Sequence, residues 1–320
     1  MEQETSISDS ISIADTKAQY NDCAKRILSE KMILSHILVN VAEEFRDMPP
    51  EEVAELIEGE PKISEIPLEP GKTNMPRIQG ADTNDAVPNE GTITFDIRFH
   101  VNYLEGTEVI KLIVGVEAQR DYYPGYDIVT RGIFYGARMI SAQLNTEFQH
   151  SDYNGIKKVY SIWICMDTPK YAENTITSYH LTKENLVGNF PEDKVRYDLM
   201  NVVCICLSKE LVRADADRKL HRLLGTVFSQ KLKAGEKKNI LIKEYRIPMK
   251  EELERSVNVM CNLADMIEEE AEQRGKYEGR LEGKLEGKIL AYAEMGLSIA
   301  EIADKVSLTK EEVEKILQEN

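Results

Sequence analysis

Gly91 to Gln119, GTITFDIRFHVNYLEGTEVIKLIVGVEAQ, holds two alternating runs separated by a short polar turn. In the first, Ile93, Phe95, Ile97 and Phe99 point to one face and Thr94, Asp96 and Arg98 to the other. In the second, Ile110, Leu112, Val114 and Val116 share a face, with Glu117 and Gln119 on the opposite one. Alternation of period two predicts paired strands. The segment Asn102 to Thr107 is short enough for a hairpin turn. One sheet face then carries Asp96, Glu117 and Gln119, three oxygen-bearing side chains. Residues two apart on a strand lie about 6.6 Å apart. That spacing lets Glu117 bind a metal ion while Gln119 handles a water beside it.

Working outward, the helix pattern from about residue 21 to 47 carries an apolar stripe of Leu34, Ile37, Leu38, Val41 and Phe45. Pro49 and Pro50 end it, and EEVAELIEG opens a short second helix. Pro61 to Glu90 is rich in Pro, Gly, Asn and Asp and reads as an extended crossing loop. After the hairpin, Gly125 to Ala142 reads as a helix on which Arg131, Tyr135 and Arg138 share one face. Arginine suits bidentate phosphate contact. This face is therefore a candidate grip on a nucleic-acid backbone. The competing reading pairs Arg131 with a core carboxylate and leaves Tyr135 to pack. Tyr122, Tyr123 and Tyr126 in the DYYPGY loop either stack on bases or pack the turn. Lys157 to Met166 and Met200 to Leu207 read as buried strands, and Thr175 to Thr177 opens an edge strand. Strands covered by helices predict an α/β domain ending near Met249.

The surroundings of Glu117 and Gln119 resemble a known family. An Asp in one strand and Glu-x-Lys in the next is the active-site pattern of PD-(D/E)XK nucleases. A branch of that superfamily, the nuclease-family transposases and recombination-promoting (Rpn) nucleases, has Gln in place of the Lys. VEAQRDYYPGYDIVTRGIFYGARMISAQ, SDYNGIKKVYSIWICMDTP and YDLMNVVCICL are similar to that branch, and the likeness runs from about Ile27 to about Glu268. The resemblance implies an α/β restriction-endonuclease-like core, a mixed central sheet flanked by helices, followed by a C-terminal helical extension. It implies Mg²⁺ (or Mn²⁺) held by Asp96 and Glu117, with Gln119 acting beside them on DNA. An upstream helical Glu often completes such sites. A step of about 100° per residue puts Glu43 in solvent and Glu44 beside Ile37 and Val41, so Glu44 is the expected residue. Gln brings hydrogen bonds but no charge. The implied activity is a divalent-metal-dependent DNA endonuclease of transposition or recombination. The alternative is a binding or regulatory protein that keeps the fold without catalysis.

Composition bounds these expectations. The chain has 320 residues, of which 42% are hydrophobic and 30% charged, as in a soluble globular protein. No apolar run approaches the ~18 residues needed to span a bilayer. The polar start, MEQETSISDSISIADTK, lacks the apolar core of a secretory signal, so a cytoplasmic location without membrane association is expected. The formal charge of −16 opposes strong non-specific DNA binding, since Lys and Arg supply most affinity for phosphates. Any DNA surface must be a local basic patch. Cys23, Cys165, Cys204, Cys206 and Cys261 show no zinc spacing and read as reduced thiols. The five histidines form no ligand spacing, and there is no P-loop.

Beyond Met249 the pattern changes. Leu253, Val257, Met260, Ala264, Ile267 and Ala271 form a heptad stripe that predicts helix pairing and a possible homo-oligomer. GKYE-GRLE-GKLE-GK, Gly275 to Lys288, repeats every four residues and serves either close helix approach or a charged spacer. Ser298 with Glu301 and Thr309 with Glu312 fit the capping box in a helix-turn-helix-like unit. Its last helix is acidic, which leaves DNA reading and protein packing both open. The expected organisation is a disordered tail over 1–20 and a nuclease-like domain over 21–249. A coiled-coil-like linker occupies 250–290, and the helix-turn-helix-like unit occupies 291–320.

Overall fold

The computed structural model describes residues 16, 19–63, 84–87, 91–94, 96–105, 108–213 and 218–319. Most of the expected 1–20 tail and most of the 61–90 crossing loop lie outside the described residues. Residues 19–20 are helical and Tyr20 is buried, its hydroxyl donating to the Phe228 carbonyl at 3.0 Å, so the expected tail ends earlier than residue 20. Two compact units divide the rest, Ala14–Leu263 and Ala264–Asn320. Among the described residues no helix is long and apolar enough to cross a membrane.

The first unit is α/β. Its helices begin with α1 over residues 19–28, α2 (Lys31–Val41) and α3 (Pro50–Leu56). The strands are β1 (Lys62–Ile63), β2 (Asn84–Val87), β3 (Gly91–Thr94), β4 (Ile97–Glu105) and β5 (Glu108–Asp121). Then come α4 (Ile128–Ser141), β6 (Val159–Asp167), β7 (Thr175–His180), β8 (Met200–Cys206), α5 (Lys219–Phe228) and α6 (Ala234–Tyr245). Among the described residues a six-stranded sheet has the order β1-β4-β5-β6-β8-β7, and β2 and β3 form a separate pair. β5, β6 and β8 run parallel, while β4 and β7 are antiparallel to their neighbours. The buried strands and the Thr175 edge strand thus lie where their patterns predict.

Besides β1 and β2, which fall within the expected crossing loop, three elements depart from the sequence expectation. The predicted helix over 21–47 is two helices and a 3-10 turn. Ser29 Oγ bonds the Arg26 carbonyl at 2.7 Å and Glu30 is extended (φ −60°, ψ 125°), so the chain turns before α2. A second extended residue, Ala42, separates α2 from the turn Glu43–Phe45. The first alternating run is not one strand. β3 pairs with β2, β4 begins at Ile97, and Asp96 occupies the bend ahead of it. Phe95 lies outside the described residues. The hairpin is also tighter than predicted. Its ladder continues to Glu105↔Glu108, so Asn102 to Leu104 are strand, and the turn residues 106–107 lie outside the described set.

Side-chain alternation divides the sheet into two packed faces. Ile97, Phe99, Val114, Val116, Tyr160, Ile162, Val203 and Ile205 share one by register and are all buried. Glu117, Gln119, Trp163, Cys165, Cys204 and Cys206 share the other. Helix α4 covers that second face through Ile128, Tyr135 and Met139. Its glycines set the approach: a Cβ on Gly132 would lie 2.6 Å from Val202 Cγ1 and 2.9 Å from Trp163 Nε1. The helix starts at Asp127, whose carboxylate accepts the Val129 N–H at 3.2 Å.

Helix α7 (Glu251–Glu294) is continuous, and the division between units falls inside it at Leu263/Ala264 rather than at the expected Met249. Leu253, Val257 and Met260 are 2%, 1% and 0% exposed. The heptad stripe expected to pair helices between chains therefore begins in the core of the first unit. In the second unit, α8 (Ile299–Val306) and α9 (Lys310–Glu319) pack with the end of α7 around Ile289, Ile302, Ala303 and Val313. Both predicted capping boxes form, with Ser298 N to Glu301 Oε2 at 2.9 Å and Thr309 N to Glu312 Oε2 at 2.8 Å. Gly275, Gly279, Gly283 and Gly287 face open space, while Leu285 of the repeat packs against the cluster around Ile289.

Candidate active site

Asp96 and Glu117 come together where the β4–β5 ladder stops. The last pair is Ile97↔Val116. Beyond it, side chains replace the backbone ladder. The Asp96 N–H donates to Glu117 Oε1 at 3.0 Å, and the Ala118 N–H donates to Asp96 Oδ2 at 3.1 Å. The bend that removes Asp96 from a strand is therefore what fixes its carboxylate against β5. Gln119 stands two residues after Glu117 on the same face, level with Cys165 of β6.

Glu117 is 6% exposed. Burial, and then the Asp96 charge, raise its pKa well above the usual carboxylate range; the Asp96 N–H, Arg131 and Lys25 pull the other way. Lys25, on α1, closes the site from outside the sheet. Its Nζ lies 2.7 Å from Asp96 Oδ1, and the residue is 8% exposed. Strand alternation gives no hint of this lysine. Its trace in the sequence is local, since Lys25 flanks the buried stripe of Ala24, Ile27 and Leu28.

Arg131 joins from α4. Its guanidinium donates to the hydroxyls of Tyr135, at 2.7 Å, and Tyr126. It stacks over the rings of Tyr126, Tyr135 and Trp163 at 4.9, 5.0 and 5.4 Å. Tyr135 is thus the partner that aims Arg131, and it is itself buried. Arg138, the third residue expected on this face, is 2% exposed. The DYYPGY loop packs beside Arg131. Tyr122, Tyr126 and Tyr179 line a cavity of about 610 Å³ floored by Cys165, Cys204 and Cys206.

Glu44 does not join the pair. It sits on the 3-10 turn and accepts from Tyr160 Oη at 2.7 Å and pairs with Lys158 Nζ at 2.9 Å. Tyr160 alternates onto the sheet face opposite Glu117. Lys158 also meets Glu43 at 3.0 Å and Asp198 at 3.4 Å, and Lys194 meets Glu43 at 2.6 Å. The Lys194 hydrogen bond chiefly holds the Glu43 carboxyl down at about 2. Glu44 belongs to this ion network because the helix that was expected to carry it ends at Val41.

Among the described residues no third His, Cys, Asp or Glu gathers with Asp96 and Glu117 into a metal-holding group. The pair alone fits a hard divalent cation. Mg²⁺ is commonly held by one or two carboxylates with waters completing the shell. The carboxyl of Glu117, disfavoured as an anion by burial and by Asp96, is in the electrostatic state that a nearby dication relieves. No family model matches the chain, and no curated protein or solved structure matches it.

Proposed function

We propose that the chain is a divalent-metal-dependent DNA endonuclease of the PD-(D/E)XK type, resembling the nuclease-family transposases and Rpn nucleases. The convergence of Asp96 and Glu117 at the broken end of the β4–β5 ladder carries this reading. Asp96 and Glu117 are the residues that would hold the cation. When bound, such a cation lowers the pKa of its water and polarises a phosphoryl oxygen.

The chain's own residues do the rest. Gln119 offers an amide to hydrogen-bond the attacking water or a phosphate oxygen. Arg131, held by Tyr126 and Tyr135, presents a fixed guanidinium on the same sheet face. Its fork suits phosphate. Against the net charge of −16, these local cations are what draw a polyanion to the site. That same charge favours the second reading, a nuclease-fold binding protein with weak or no catalysis.

Supercoiled plasmid incubated with the full chain and Mg²⁺ separates the two. Wild type should nick or linearise it. Asp96→Ala and Glu117→Ala should each lose at least about 100-fold in rate, or about 2.7 kcal/mol of transition-state stabilisation. Glu44→Ala should keep its rate within severalfold while melting earlier, because it breaks a structural ion network. Undiminished cleavage by either Ala variant of the pair sinks the assignment, and an inactive wild type favours the binding protein.

A further inference from the structure

We propose that Lys25 supplies, from α1, the active-site cation that Gln119 does not. The inference rests on the nuclease reading above and deepens it. In the Glu-x-Lys pattern the charge stands two residues after the Glu, on the same strand. Here that position is the neutral Gln119. A lysine from a different element reaches the same carboxylate pair: Lys25 Nζ is 2.7 Å from Asp96 Oδ1, while Asp96 Oδ2 is held by the Ala118 N–H, between Glu117 and Gln119. The ammonium is therefore fixed beside the strand segment on which the missing charge is expected.

Its surroundings make that charge effective. Lys25 is 8% and Glu117 6% exposed, so water screens neither well. The field of Lys25 reaches Glu117 as well as Asp96. A compact ammonium acts as a point charge. Charge developing on a phosphoryl group at this pair is stabilised by a cation already in place, with little reorganisation during the reaction. A counter-ion with a purely structural role would change stability on removal but leave the rate of the folded, metal-bound chain unaltered.

The test uses the full chain with Lys25→Met, Gln119→Lys, and the two combined. Thermal melts report folding, Mn²⁺ titration read by electron paramagnetic resonance reports cation binding, and plasmid cleavage in Mg²⁺ reports rate. Lys25→Met should stay folded and bind Mn²⁺ at least as tightly as wild type, because a cation competing for Asp96 is gone. It should cleave at least about 100-fold more slowly. Adding Gln119→Lys should restore the rate at least about tenfold by returning the charge from the strand side. Lys25→Gln, which keeps a hydrogen bond to Asp96 without charge, carries the same expectations if Lys25→Met melts early. Wild-type cleavage by the neutral variant overturns the inference, as does a folded, Mn²⁺-binding double variant that is not rescued. A wild-type chain that does not cleave at all overturns the nuclease reading itself, and this inference falls with it.

Discussion

Glu117 is the residue at which burial, charge and hydrogen bonding meet, and its titration has a definite sign. Its pKa is raised in the folded chain by burial and by Asp96. Between the ordinary carboxylate value and the raised one, the unfolded chain binds fewer protons than the folded chain. Stability therefore falls as pH rises through that window. Glu117→Gln removes the titration and keeps an amide oxygen for the Asp96 N–H. The variant should match wild type in acid and melt higher than wild type near neutral pH. Thermal melts across that range check this, and a Gln variant less stable than wild type at neutral pH contradicts it. At this scale strand alternation placed Glu117 and Gln119 on one face, whereas Asp96 meets Glu117 from a bend that alternation does not describe. Lys25 was not legible, because its partner is distant in sequence and only tertiary packing brings α1 to Asp96. Glu44 was misplaced by carrying a helical step past Val41, where the helix ends.

Elements were legible where their period was unbroken. The buried runs that became β6 and β8 read as strands, and Gly125 to Ala142 read as the helix observed over Ile128–Ser141. Breaks were less visible, because they depend on bonds the sequence does not display, such as Ser29 Oγ to Arg26 O or Asp96 to Ala118. The heptad stripe of α7 shows the same limit: an apolar stripe records that something covers it, not what. Cleaving the chain after Met249 would remove Leu253, Val257 and Met260, all at most 2% exposed. Burying a side chain of this kind contributes about 1.5–3 kcal/mol, against about 5–15 kcal/mol for a whole domain. The 1–249 fragment should therefore lack a cooperative thermal transition, whereas a fragment ending at Arg274 should retain one. Circular dichroism melts of the two decide the point, and a sharp transition in 1–249 would show that α7 is dispensable to the core.

At the scale of the whole molecule, the order of strand and helix patterns predicted an α/β unit with a helical extension, and that is the architecture observed. The strand order was beyond it, since periodicity does not say that β7 returns antiparallel to the edge of β8. Charge is the other whole-molecule property. A body of −16 makes a site that draws in cations more natural than one that draws in DNA without them. The proposed activity thus depends first on cation binding at Asp96 and Glu117. Mn²⁺ titration of the metal-free chain, read by electron paramagnetic resonance, addresses that dependence without requiring cleavage. Stoichiometric Mn²⁺ should bind, Mg²⁺ should displace it, and Asp96→Asn and Glu117→Gln should each release it. Stoichiometric binding that survives both substitutions, or no binding by the wild-type chain, would refute the site.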